Sequence, residues 1–151
     1  MIENRYLFES SPDLLTFEFD SIGPKGIITK VVRYTEINVH GYYNLGFGDK
    51  DPHSNFISDI TVTNNNDSQK VLLTVARTLY LFTERYPSAV VLATGSTITR
   101  TRLYGIGITN NIAGIERDFV VLGLTDKEWE PFRRNVTYHS FAIRRKFVNL
   151  L

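Results

Sequence analysis

Cysteine is absent from this chain of 151 residues, and its absence removes several kinds of chemistry. Without a thiolate there is no cysteine nucleophile, no thiolate metal site and no disulfide. The absence also fits a reducing compartment, where disulfides are rare. Folding therefore depends on burial of apolar residues, which make up 42% of the chain and suffice for the core of one domain.

Long apolar runs are missing as well. No stretch approaches the ~18 residues that a membrane-spanning helix needs, and the first residues lack the basic start and apolar centre of a signal peptide. We therefore expect a soluble cytoplasmic protein with no membrane partner. Repeats, linkers and low-complexity segments are also absent, which predicts a single domain over residues 1–151.

Charge is nearly balanced overall, at a formal net +1, but it is unevenly placed. Residues 1–96 hold 8 Lys and Arg against 11 Asp and Glu, a balance of −3, whereas residues 97–151 hold 9 against 5, a balance of +4. A basic C-terminal part favours a partner that carries phosphate, such as nucleic acid.

Strand patterns dominate the first part of the chain. A short strand is predicted at 5–8, and alternating or β-branched residues predict an antiparallel meander of four strands at 15–20, 27–34, 39–47 and 56–62. A long helix follows. It begins after the N-cap Asp67, carries an apolar stripe and ends before Pro87.

Helices and strands alternate in the second part. Strands are predicted at 89–93, 119–124 and 137–143. A second helix follows the first of these strands, and the capping-box residues at 125–128 predict a short helix that carries Trp129. Together these elements predict an α+β fold: one mixed, largely antiparallel sheet with helices packed on one face.

Residues 89–104 combine an apolar strand, a small polar turn and a basic helix start. Gly95 permits a tight turn, and Ser96 or Thr97 can cap the helix. Free N–H groups and the positive end of the helix dipole make such a junction a candidate anion site. The alternative is an ordinary helix cap with surface arginines nearby.

Two arginines follow this turn, at Arg100 and Arg102. They differ by roughly 200° around a helix, so only one of them can face the anion. Arg102 lies three residues after Thr99 and is the predicted partner of a hydroxyl cluster. The predicted ligand site comprises six residues: Gly95, Ser96, Thr97, Thr99, Arg100 and Arg102.

A second group of candidates lies near the C-terminus. His139, Tyr138 and Arg144 are the residue types that a metal-independent ribonuclease uses as general base, general acid and phosphate-binding cation. However, neighbouring residues of a strand point to opposite faces, so Tyr138 and His139 are expected to diverge. A surface or internally satisfied histidine is the alternative.

Other chemistry receives less support. Asp49, Asp51, His53 and Asp59 offer oxygen and nitrogen ligands, but no calcium-loop pattern surrounds them, and a solvated turn is favoured. Val120 occupies the position where a nucleotidyltransferase needs its second carboxylate. No P-loop is present either. We expect no metal and no cofactor.

Aromatic residues supply possible stacking surfaces for bases. Most of the 18 Phe and Tyr residues fall at core-like positions, but Tyr42, Tyr104 and Tyr138 are predicted to be exposed. His40 is predicted to share one strand face with Tyr42 and Asn44.

Three motifs resemble a family of uncharacterised bacterial proteins of similar length, found mostly in the Bacteroides and Cytophaga group. They are YNLGFGD at 43–49, NND at 65–67 followed by KVLLTVA at 70–76, and GST at 95–97 followed by RTRLY at 100–104. The resemblance covers nearly the whole chain. It implies a small intracellular domain and brings no known activity, cofactor or catalytic residue.

These observations favour a binding module for phosphate-bearing ligands, with nucleic acid the leading candidate. Its site would use the turn at 95–97, Arg100 or Arg102, and the basic segment at 144–146. The alternatives are a small toxin-like ribonuclease and a protein-interaction or structural domain. In the last case, the arginines would pair with a partner's carboxylates, or aromatic surfaces would join two copies of this chain.

Overall fold

The computed structural model describes residues 4–51, 53 and 63–146, and these residues form an α+β fold. The strands form an eight-stranded, mostly antiparallel sheet, as the sequence predicts. They are β1 (Glu9–Ser10), β2 (Thr16–Gly23), β3 (Gly26–Glu36), β4 (Tyr42–Asp49), β5 (Val90–Ala93), β6 (Phe119–Leu124), β7 (Trp129–Pro131) and β8 (Ser140–Arg145). The helices are α1 (Ser68–Arg85), α2 (Ile98–Asn110) and α3 (Ile112–Asp118). The strand predicted at 56–62 lies outside the described residues.

The chain divides into two compact units. The first comprises Met1–Thr35 and Leu45–Arg85, and the second comprises Glu36–Asn44 and Tyr86–Leu151.

In the first unit the strands follow the order β1, β2, β3, β4. Alternation in β2 buries Phe17 and Phe19, as the period-two pattern predicts, and it continues to Ser21, beyond the predicted end of the strand. The hairpin between β2 and β3 has a two-residue loop. The side-chain amide of the buried Asn65 stabilises this hairpin. It donates to Gly26 O at 2.9 Å and accepts from Lys25 N at 2.8 Å.

The first strand is shorter and later than predicted, because residues 4–8 do not form a regular strand. Tyr6 is held by side chains instead. Its N–H donates to Thr74 Oγ1 at 2.9 Å, and its hydroxyl donates to Asp67 Oδ2 at 2.6 Å while accepting from Ile22 N at 3.1 Å. The outer edge of β2 at Ile22 therefore pairs with a tyrosine hydroxyl rather than with a strand.

Helix α1 agrees with its predicted apolar stripe. Val71, Val75, Leu79 and Phe82 are buried, and the Phe82 ring stacks on Tyr34 with centroids 4.1 Å apart. The helix starts where the sequence places it, since the carbonyl of Asp67 accepts from Val71 N.

In the second unit, four strands follow the order β5, β8, β6, β7, and each of these pairings is antiparallel. The buried face combines Val91, Val121, Phe141 and Ile143. Strand β6 agrees with the prediction, whereas β8 begins at Ser140 instead of residue 137.

Helices α2 and α3 are separated at Asn111, a break that the sequence does not predict. Gly105 explains how α2 tolerates a glycine in its interior. A Cβ at Gly105 would lie 3.1 Å from Phe141 Cζ, so its absence lets the helix approach β8 closely.

The short helix predicted at the capping box does not form. Thr125 Oγ1 accepts from Lys127 N and Glu128 N, as a helix cap would, but Thr125 N donates to Glu128 O and closes the β6–β7 hairpin. Pro131 disfavours the helix, because a proline so soon after the cap would remove a helical hydrogen bond and clash with the preceding turn. Residues 129–131 pair with β6 instead. Trp129 lies in β7 instead.

Candidate functional site

The turn between β5 and α2 is built largely from its own hydrogen bonds. Thr97 is the N-cap of α2, as predicted, and its side chain accepts from Arg100 N at 3.2 Å. Thr101 Oγ1 accepts from Gly95 N at 2.9 Å. A Cβ at Gly95 would lie 2.4 Å from Arg100 Cβ, so glycine is required there. The amides of Gly95 and Arg100 are therefore already paired within the turn.

The two arginines diverge, but their roles are exchanged relative to the prediction. Arg100 is half-buried, and its Nη1 donates to Ser96 Oγ at 3.1 Å, whereas Arg102 was predicted as the partner of Ser96, Thr97 and Thr99. Arg102 is exposed and lines a groove elsewhere on α2. Its guanidinium makes no hydrogen bond or ion pair with any other described residue.

That groove lies between α2 and the segment that joins β7 to β8, and its volume is about 530 Å³. The volume falls in the ~300–1,000 Å³ range of small-molecule sites. Its charged and polar lining consists of Arg102, Thr109, Asn110, Arg133, Asn135 and Thr137. Its apolar and aromatic lining consists of Ile98, Gly105, Ile106, Phe132, Val136, Tyr138 and Phe141.

The second guanidinium in the groove, Arg133, is held in place by Glu130. Arg133 Nε donates to Glu130 Oε2 at 2.9 Å, and Nη2 lies 3.4 Å from Oε1. The hydrogen bonds from Arg133 and Tyr138 lower the pKa of Glu130, and Glu130 in turn raises the pKa of Arg133. Glu130 compensates the charge of Arg133, so the net positive charge of the groove comes from Arg102.

Three aromatic rings form one side of the groove. The Phe132 centroid lies 5.8 Å from Tyr138 and 6.1 Å from Phe141. Tyr138 and Phe141 are buried, whereas Phe132 retains exposed surface. Tyr138 was predicted to be exposed, but its hydroxyl donates to Glu130 Oε2 at 2.7 Å and accepts from Arg133 N at 3.1 Å. Burial, followed by the hydrogen bond to Glu130, raises the pKa of Tyr138.

The predicted ribonuclease residues are not brought together. His139 is exposed, and its Nε2 is hydrogen-bonded to Asp126, whereas Tyr138 is buried on the other side. Arg144 donates to the carbonyl of Arg145. The divergence expected of Tyr138 and His139 is confirmed.

The basic segment at 144–146 is only partly exposed to solvent. The Arg145 guanidinium lies over the Phe119 ring, 5.1 Å from its centroid, and both Arg144 and Arg145 are half-buried. Lys146 is exposed. A continuous patch of three solvated cations is therefore not present.

Among the acidic residues near position 50, Asp49 stabilises the fold. Asp49 does not lie in a solvated turn, because it ends β4, is buried and pairs with Lys30. Asp59 lies outside the described residues. Within the described part of the chain, no three acidic or histidine side chains are grouped to hold a metal. His40 is also misplaced by the sequence pattern, since it lies in a turn beside Glu36 and not on the strand face with Tyr42.

The sequence singled out two residues of the groove, Arg102 and Tyr138, but for other roles, and it did not indicate Phe132, Arg133 or Asn135. The available signal was the adjacency of Phe132 to Arg133 and Arg134, an aromatic ring beside two guanidiniums. This run lies between the predicted short helix and the strand predicted at 137–143, and its pattern alone does not indicate a ligand site.

Comparison with known proteins adds the family. No curated protein and no solved structure gives a significant match to the chain. Among the described residues, no helix combines the length and apolar character needed to cross a membrane. The family model that does match covers residues 2–146, and the chain belongs to DUF6934, a family of unknown function.

Proposed function

We propose that this protein binds phosphate-bearing ligands, and single-stranded RNA in particular, in the groove between α2 and the β7–β8 segment. The observation that carries the proposal is the lining of the groove. It contains the two guanidiniums of Arg102 and Arg133 and no carboxylate. Arginine presents a planar fork of N–H donors that matches phosphate oxygens.

Arg102 is the stronger of the two anchors. Its guanidinium is exposed and makes no hydrogen bond or ion pair with another described residue, so it loses no internal partner when a phosphate binds. Arg133 is held by Glu130, which fixes the position of its side chain before the ligand arrives. Fixing a donor in advance reduces the entropy lost on binding.

The groove is a better candidate than the turn at 95–97. In the turn, the N–H of Gly95 and the N–H of Arg100 already donate to threonine hydroxyls, and the guanidinium of Arg100 donates to Ser96. An anion that used these three groups would have to displace these bonds. A phosphate at Arg102 breaks no hydrogen bond or ion pair with another described residue.

The test is fluorescence anisotropy of a labelled, unstructured RNA oligonucleotide over a salt series. We expect the affinity to fall steeply with salt. Arg102→Gln should weaken binding about tenfold or more, the loss of a hydrogen bond to a charged group. It should also reduce the slope of log K against log salt by about 0.7, the loss of one single-strand phosphate contact.

Arg134→Gln is the matched control. Like Arg102→Gln it removes one exposed positive charge, but Arg134 lies in the β7–β8 segment beside Arg133 and does not line the groove. Equal losses for Arg102→Gln and Arg134→Gln would indicate unspecific attraction and contradict the proposal. A loss with Arg100→Gln alone would move the site to the turn.

The same samples on a denaturing gel address the ribonuclease alternative. Intact RNA is the expected result. Shortened RNA that persists in His139→Ala would mean cleavage without that histidine, whereas cleavage abolished by His139→Ala would replace the binding proposal with an enzymatic one.

A further inference from the structure

We infer that the groove accepts one unpaired nucleotide, with its base on Phe132 and its phosphate between Arg102 and Arg133. This inference rests on the proposed function and specifies the unit that the site recognises. It begins from the observation that positive charge and an accessible aromatic ring line the same groove.

Phe132 is suited to receive a base because it is supported from below. Tyr138 and Phe141 are 5% and 3% exposed and pack against the Phe132 ring, which restricts its movement away from a stacked base. Stacking of a base on an aromatic side chain contributes to binding whatever the base, since every base has a π-face.

Two side-chain amides lie where the edge of a base can be read. Asn110 at the end of α2 and Asn135 in the opposite segment are exposed, and both line the groove. Neither amide makes a hydrogen bond with another described residue. An amide offers both donors and an acceptor, which are the groups that the edges of bases complement. Asn135 has a positive φ of 61°, a conformation that asparagine tolerates better than most residues.

The size of the groove favours a single nucleotide over a long track. Its volume of about 530 Å³ is that of a pocket for one small molecule. Domains that bind single strands along a surface contact roughly 4–16 nucleotides instead. We therefore expect a free nucleoside monophosphate to occupy the same site as RNA.

The experiment measures calorimetric binding of the four nucleoside 5′-monophosphates and of ribose 5-phosphate to the full chain. It also measures their competition with labelled RNA. At least one nucleotide should bind about tenfold more tightly than ribose 5-phosphate, the expected contribution of one stacked base. That nucleotide should displace the RNA.

Phe132→Leu separates stacking from charge. It should weaken nucleotide binding about fivefold or more while leaving ribose 5-phosphate unchanged. Asn110→Ala is a second variant at an exposed position, where folding is not at risk, and it should alter the ranking of the four nucleotides. Arg134→Gln should change neither.

The outcomes distinguish the two proposals. If RNA binds but ribose 5-phosphate matches the nucleotides, or both variants leave nucleotide binding unchanged, the nucleotide pocket is wrong and the phosphate-binding function stands. If nucleotides bind and displace the labelled RNA, and if Phe132→Leu and Asn110→Ala change nucleotide binding as expected, the inference is supported. If neither RNA nor any nucleotide binds, both proposals fail.

Discussion

Lys30 and Asp49 form a buried ion pair in the first unit. Lys30 is 1% exposed, and its Nζ lies 2.5 Å from Asp49 Oδ1 and 2.7 Å from the carbonyl of Thr63. The Thr63 hydroxyl donates to Asp49 Oδ2 at 2.6 Å. These bonds satisfy both charges and fasten residue 63, just before α1, to strands β3 and β4.

Removal of one member of the pair should lower the free energy of unfolding strongly, because it leaves the other charge buried without a partner. We expect Lys30→Met to lower the free energy of unfolding by about 3–5 kcal/mol, measured by urea denaturation. The double variant Lys30→Met/Asp49→Leu should lose less, since no charge is left unpaired.

Lys50→Met is the control for that prediction. Lys50 pairs with Glu18 at 2.7 Å, but about a third of each side chain is exposed, so we expect a loss of at most ~1 kcal/mol. Similar losses for Lys30→Met and Lys50→Met would mean that the buried pair contributes no more than a surface one.

At the scale of elements, β6 shows how a glycine positions the groove. A Cβ at Gly123 would lie 2.5 Å from ring atoms of Tyr138, so the ring lies directly on the strand. The hydroxyl of that ring in turn bonds Glu130 and the backbone of Arg133. The absence of one methyl group on β6 thus allows the packing behind the groove.

Gly123→Ala should therefore lower the free energy of unfolding by about 1–3 kcal/mol, the usual cost of overpacking. Gly105→Ala should change it by less than ~1 kcal/mol, because the helical preference of alanine offsets the 3.1 Å approach to Phe141. Thermal or urea unfolding of the two variants gives the comparison. A larger loss at Gly105 than at Gly123 would contradict this account.

The elements also show which structures are readable from local sequence. The cap at Thr97 and the stripe on α1 were predicted because each depends on neighbours within a few residues. The pattern at Thr125 looks the same as a cap, yet pairing of β7 with β6 decides the outcome there. The groove was beyond reach, since α2 and the β7–β8 segment are distant in sequence and meet only in the folded unit.

Across the whole molecule, buried and half-buried tyrosines contribute to the response to alkaline pH. Burial is the main cause that raises the pKa of Tyr6, Tyr43 and Tyr138, and it raises that of Tyr104 to about 12. Arg100 opposes the shift at Tyr104 but does not cancel it. In the unfolded chain, tyrosines ionise near pH 10.

Between pH 10 and 12 the unfolded state therefore binds fewer protons than the native state, and stability must fall as pH rises. Tyr104 alone should account for ~2–3 kcal/mol of this loss. Urea denaturation from pH 8 to pH 12 measures it, and Tyr104→Phe should flatten the decline above pH 10. An unchanged pH profile in Tyr104→Phe would show that this tyrosine ionises alike in both states.

Tyr6, at the edge of β2, affects how readily copies of this chain can pair with one another through their strands. An uncovered strand edge recruits strands from other copies, which is a common route to aggregation. At Ile22 the amide that would begin such pairing is already bonded to the hydroxyl of Tyr6, and Asp67 holds that hydroxyl. The side chain of Tyr6 thus blocks strand pairing between copies at this part of the edge, a role that an additional strand would otherwise have to fill.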